Sequence, residues 1–207
     1  MIRHEYKKGK AMLKKSLILL IALSSIILGE TISHDFEDEN LTNWEKNAHW
    51  AIDEDKSSMV LSLLEVNSSV PFNLCYRQDV QFGDGNISVL FRANRGKIDR
   101  GGGLMWRVQD DDNYYVARFN PLEDNFRFYI VKNGDRQEIA SVNIKLTGGW
   151  HTMKITQIKD QFIGYLDDKK LLEAKDNRLL KSGGVGVWTK ADAKSSFDDL
   201  TIESVPN

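Results

Sequence analysis

Beyond Thr31 the sequence contains no long stretch with apolar residues at helical spacing. Short runs follow one another in which apolar and polar residues alternate: HWAIDED, MVLSLLE, NISVLFRAN, GLMWRVQ, NYYVARFN and NFRFYIV. HTMKITQIK, QFIGYLDD, KLLEAK, GVGVWTK and FDDLTIES continue the series. Turn-forming clusters separate them, among them GDGN, RGKIDRGGG, DDDN, KNGD, TGG, DDKK and KSGG. A period of two, punctuated at such regular intervals, predicts an all-β fold of two antiparallel sheets or a barrel. DNRLLKSG is expected to form at most one helical turn. Pro71, Pro121 and Pro206 fall where loops or strand ends are expected.

The N-terminus reads differently. Lys14 and Lys15 precede the uncharged, mostly apolar run Ser16–Leu28, which ends at Gly29. A basic region, a short apolar region and a small residue make a secretory signal peptide over residues 1–29. The run is shorter than the roughly 20 residues of a membrane-spanning helix. An uncleaved anchor is the alternative; with cleavage no stable membrane span remains. No cysteine follows the run, so a lipid anchor has no attachment point. The expected product is an exported domain, periplasmic or extracellular, formed by residues 30–207.

Charge and cysteine content narrow the function. The whole chain carries 28 Lys and Arg and 30 Asp and Glu; six of the former and one of the latter fall in the first 29 residues, leaving −7 beyond them. That surplus of acid argues against general nucleic-acid binding. Cys75 is the one cysteine of the sequence, so no intrachain disulfide exists. The four histidines, His4, His34, His49 and His151, show no zinc-ligand spacing. Asn40, Asn67 and Asn86 head glycosylation sequons, which read as chance matches.

Side-chain alternation assigns faces. Leu104, Trp106 and Val108 are expected in the core, as are Tyr115, Ala117 and Phe119, and Phe126, Phe128 and Ile130. On the opposite faces of four strands this leaves Arg92, Arg107, Arg118 and Arg127, interleaved with Tyr114, Tyr129 and Asn120. Arginine forks bind vicinal hydroxyls or carboxylates in fixed geometry, and tyrosines supply flat apolar surface for a sugar ring. The competing reading is a solvated strand face whose arginines pair with acids. Four like charges side by side repel unless acids or a ligand intervene, which favours a binding face. Trp188 adds a ring near another strand end. Glu123, in the FNPLEDN connection, is the best candidate for a general acid or base.

DFEDENLTNWE, GGGLMWR, DDDNYYVARFNPLEDNFRFY, GGWHTMKI, GYLDDKKLLEA, GGVGVWTKAD and FDDLTIES together resemble the concanavalin A-like and laminin-G-like jelly-roll domains of exported bacterial proteins, and most nearly the 3-keto-disaccharide hydrolase-like group. The resemblance runs from about Phe36 to Ile202. It implies a two-sheet jelly-roll sandwich with a curved face that binds carbohydrate in family members. It also implies that the first and last strands pair, with Glu37, Asp38, Asp198 and Asp199 as oxygen ligands for a structural calcium. The Glu-x-Asp-x-x-Glu strand of laminarinase-type glucanases is absent, which disfavours retaining glucanase chemistry. The expected function is therefore an exported carbohydrate-binding domain. A glycoside hydrolase of the 3-keto-disaccharide type and a protein-interaction module are the alternatives.

Overall fold

The structure, a computed structural model, describes residues 29–205. The basic and apolar leader lies outside the described residues, apart from its last residue, Gly29. Fifteen strands follow one another. The first five are β1 (Glu30–His34), β2 (Trp44–Lys46), β3 (His49–Asp55), β4 (Ser58–Glu65) and β5 (Phe72–Phe82). Next come β6 (Asp84–Arg95), β7 (Gly102–Asp110), β8 (Asn113–Asn120), β9 (Asn125–Lys132) and β10 (Asp135–Asn143). The last are β11 (His151–Ile158), β12 (Gln161–Leu166), β13 (Lys169–Lys175), β14 (Gly183–Lys190) and β15 (Lys194–Val205). Among the described residues there is no helix, and thus none long and apolar enough to cross a membrane.

Two antiparallel sheets form a jelly-roll sandwich. One has the order β13-β12-β11-β6-β15-β4-β3, with β1 on the lower half of β15; the other runs β10-β9-β8-β7-β14-β5-β2. First and last strands therefore pair, with Glu30 opposite Ser204 and His34 opposite Leu200. Several hairpins are tight turns of the sort their residues demand. Asn133 and Gly134 (φ 52° and 77°) turn β9 into β10, and Asp167 and Asp168 (φ 49° and 61°) turn β12 into β13. β1, β2, β5 and β10 have no counterpart among the runs picked out in the sequence. DNRLLKSG is an open connection rather than a helical turn.

The core between the sheets is aromatic. Phe91, Trp106, Phe128, Phe162 and Phe197 are fully buried there, each contributing about 1.5–3 kcal/mol by transfer from water. Phe128 and Phe162 meet edge to face at 5.1 Å, and Trp106 stacks on Tyr115 at 5.6 Å. The Trp106 indole donates to buried Gln157 at 2.8 Å, and the Gln157 amide donates in turn to the carbonyls of Lys159 and Gln161. The core thus contains a fully paired polar side chain. Gly164 gives the phenylalanines room: a Cβ there would lie 2.5 Å from the Phe128 ring and 2.7 Å from Phe126.

Arg107 departs from the expected alternation. It is an extra residue in β7, with φ of 49°, and pairing shifts around it so that Trp106 faces Val185 while Val108 faces Gly184. Val108 consequently leaves the core for the outer face of its sheet. The Arg107 side chain is buried at one end of the sandwich, where it donates to the carbonyls of Gly83, Lys159 and Leu179 and to the Asp84 carboxylate. It ties three connections together and does not line a binding face.

Replacing Arg107 with Met leaves three carbonyls without this donor and Asp84 with the Lys159 amide alone. The expected loss is about 3–5 kcal/mol, read as a lower midpoint in urea unfolding; an unchanged midpoint would contradict the keystone role. Gly164→Ala is expected to cost about 1–3 kcal/mol by overpacking in the same assay.

Candidate functional site

The outer face of the seven-stranded sheet is deeply concave. From β10 to β14 there are four strand-to-strand steps, roughly 19 Å across a flat sheet. Yet the guanidinium of Arg136, on β10, lies 5.8 Å from the ring of Trp188, on β14, and 5.7 Å from Phe72 on β5. Only a strong inward curl brings one arginine side chain to both. Gly186 lets β5 approach β14 closely on this face, because a Cβ there would lie 2.2 Å from the Cys75 carbonyl oxygen. The floor of the groove is apolar: Leu74, Met105, Tyr114, Val116, Val131 and Trp188 are buried there.

Beside that floor lies a polar network built around Glu123. β8 and β9 place Arg118 directly opposite Arg127, a like-charge pair that the sheet alone would disfavour. The β8–β9 connection folds Glu123 between them. Its Oε1 accepts from Arg118 (3.1 Å) and Asn120 (3.0 Å), while Oε2 accepts from Asn125 (2.9 Å) and pairs with Arg127 (3.2 Å). Partial burial by itself pushes the Glu123 carboxyl upward. Hydrogen bonds from Asn125 and Arg118, with the charges of Arg118 and Arg127, outweigh it and bring the group down to about 2.

The network continues inward. Arg118 also pairs with Asp99 at 2.6 Å, and Asp99 accepts from the Gly101 amide. Asp192 accepts from the backbone amides of Lys97, Ile98 and Asp99, which fixes that loop and lowers the Asp192 carboxyl. Outward, Arg127 donates to Ser141 and Tyr129 and pairs with Glu138 at 3.3 Å. The rim is thus an alternating row, Glu123–Arg127–Glu138, with side chains 41, 30 and 46 % exposed.

Five of the seven residues expected to bind carbohydrate share this concave sheet face: Tyr114, Arg118, Asn120, Arg127 and Trp188. Of these only Arg127 reaches the surface. Arg118 and Asn120 are buried behind Glu123, and the Trp188 indole donates to the Tyr114 hydroxyl at 3.1 Å in the floor. Arg107 lies at the end of the sandwich, as described. Arg92 belongs to the other sheet, because β6 and β7 part company after the Gly96–Gly101 connection. There it pairs with Asp55 at 2.7 Å and stacks over Trp150, beside a separate polar cavity of about 330 Å³. The expected row of four arginines is therefore a cross-strand pair, Arg118 and Arg127. Arg136, Glu138, Ser141 and Asp99 went unread: the first three stand on β10, whose polar edge pattern gave no strand signal, and the last in a loop read only as a turn.

Glu123 does not suit acid–base work. A carboxyl ionised down to about pH 2 has no proton to give near neutrality and little affinity for one. The calcium ligands expected from the sequence also fail to converge. Glu37 and Asp198 meet only through Ser58, Glu37 accepts a further bond from the Met59 amide, Asp38 is turned onto its own loop and Asp199 is exposed. Among the described residues no group of three or more His, Cys, Asp or Glu side chains is arranged to hold a metal.

No protein-family model and no curated protein matches the sequence. Solved structures do. The carbohydrate-binding module CBM66 from Bacillus subtilis is similar over 80 % of this chain and 98 % of its own, with 23 % identity and a TM-score of 0.65. A GH16 protein of the Bacteroides ovatus mixed linkage glucan PUL, solved with its product, covers 83 % and 98 % at 10 % identity, with a TM-score of 0.62. A β-glucanase from Bacillus licheniformis covers 86 % and 99 % at 14 % identity, with a TM-score of 0.58. The jelly-roll fold is shared. The likeness to 3-keto-disaccharide hydrolases gains no support from these structures.

The Glu123 carboxyl sits below its ordinary value of 4.5 in the folded protein, so its contribution to stability is complete above about pH 4.5 and is lost as pH falls toward 2. Wild type is expected to exceed Glu123→Gln in stability at pH 7, with the gap closing across that window. Denaturant unfolding at stepped pH checks this; a gap independent of pH would show that the arginines do not hold the carboxylate.

Proposed function

We propose that this is a carbohydrate-binding domain that uses the concave face of its seven-stranded sheet. The observation that carries the proposal is the exposed, alternating Glu123–Arg127–Glu138 rim. Sugar hydroxyls both donate and accept, and a row of fixed acceptors and donors meets neighbouring hydroxyls without reorganising. The rim residues stand on paired strands and the connection between them, a setting that holds such groups in place. Solved structures of the same fold include a carbohydrate-binding module and a glycosidic hydrolase, which supports a carbohydrate-related role.

Binding is favoured over hydrolysis because the best-placed carboxylate, Glu123, is committed to two arginines. The leader of residues 1–29 supports export, which fits a glycan outside the cytoplasm as the ligand.

A glycan-array screen of the purified protein, followed by calorimetry on each hit and product analysis, tests the proposal. Binding without product is expected. Arg127→Ala is expected to weaken it at least tenfold while the melting temperature stays within a few degrees. Failure of the folded wild-type protein to bind any glycan would overturn the reading, and product release would replace it with the hydrolytic one.

A further inference from the structure

Asp111 and Asp112 border the same face beside Phe72 and Leu74, yet not every cation on it has a direct acid partner. Arg118 is paired with Asp99 and Glu123, and Arg127 with Glu123 and Glu138. Two further cations belong to the same face. Arg136 lies opposite Val131 on β10, and Lys190 follows Trp188 by two residues on β14. Among the described residues neither has a carboxylate within ion-pair distance, and the Arg136 Nη1 is buried without any hydrogen-bond partner. Burial and the neighbouring Arg136 charge both pull the Lys190 amine down, against the attraction of Asp99 and Glu123. An arginine nitrogen shut away from water without an acceptor is costly. Arg118 Nε shares that state despite two acid partners, so what sets Arg136 apart is the lack of a direct carboxylate partner.

Geometry adds a second feature. The Arg136 guanidinium stands 4.4 Å from the centre of the Tyr129 ring and within 6 Å of Phe72 and Trp188. A planar cation over an aromatic bed presents its edge as a fork, the arrangement that receives a carboxylate through two parallel hydrogen bonds. The Glu123–Arg127–Glu138 row runs from the β8–β9 connection across β9 to β10, the strand of Arg136 itself, and offers partners for hydroxyls.

We propose that the groove selects acidic glycans, with the carboxylate of a uronic acid residue held between Arg136 and Lys190 and the ring hydroxyls facing the Arg127 rim. This rests on the carbohydrate-binding reading and narrows it to a class of ligand. A neutral sugar leaves both cations without a direct charge partner; a uronate supplies that charge at the Nε–Nη2 edge of Arg136, the edge that is not shut away.

The test is calorimetry of the full protein with oligogalacturonate, oligomannuronate and oligoglucuronate, each beside its carboxyl-reduced, neutral counterpart. At least one acidic oligosaccharide is expected to bind ten times more tightly than its reduced form, with affinity falling as salt rises. Arg136→Gln and Lys190→Gln are each expected to lose about tenfold toward the acidic form and to leave binding of the reduced form within twofold. Circular dichroism and melting temperature verify folding, and if Arg136→Gln fails to fold, the partly exposed Lys190 carries the comparison. Neutral forms binding as tightly as their acidic counterparts, or Lys190→Gln binding the acidic form unchanged, would overturn the acidic assignment and leave the carbohydrate reading standing. Binding of neither acidic nor neutral glycans would overturn both.

Discussion

The inserted residue at Arg107 sets the geometry on which the rest of the sandwich depends. Its left-handed backbone shifts the pairing of β7 with β14, so residues before it and after it obey different face assignments. The guanidinium then supplies donors to three chain segments that otherwise expose carbonyls at the end of the sandwich. Burial opposes the charge and Asp84 sustains it. Removing the inserted residue would restore continuous alternation and send Val108 back toward the core. The turns at Gly83, Lys159 and Leu179 would then lose their common anchor. One strained position thus decides both the register of the sheet and the closure of its end.

The groove is built by relay. Asp192 holds the 97–99 loop by its amides, that loop presents Asp99, Asp99 fixes Arg118, and Arg118 shares Glu123 with Arg127. Each member is held on at least two sides, so the exposed Arg127 starts from one orientation and gives up little freedom when a ligand arrives. Buried arginines that look like ligand contacts in a sequence are the supports of the one that faces solvent. Positioning and contact are divided between neighbouring strands.

Much of the fold was legible in the residues. Alternation in NISVLFRAN placed Ile87, Val89 and Phe91 in the core, where they are buried, and KNGD and DDKK marked hairpins that have the required positive φ values. The concave face was legible in part, since Tyr114, Arg118 and Arg127 do lie opposite the core. What escaped has physical reasons. β10 is an edge strand with one neighbour, so DRQEIASVN needs little apolar content and shows little. A one-residue insertion such as Arg107 leaves no mark in composition yet inverts the pattern beyond it. Nothing local in β6 says that it joins a different sheet from β7, which is why Arg92 was grouped with the wrong neighbours. Burial of the outer face depends on curvature, a property of the whole sheet.

The seam between β1 and β15 has a topological consequence. Because Glu30 lies opposite Ser204, the polypeptide leaves the sandwich almost where it entered it, one strand spacing away. A few linking residues would close the domain into a ring, and a new opening at an exposed hairpin such as Lys56–Ser57 would keep every strand pair intact. The pairing of β1 with β15 thus makes the strand order compatible with circular permutation, with new termini placed on the eight-stranded sheet.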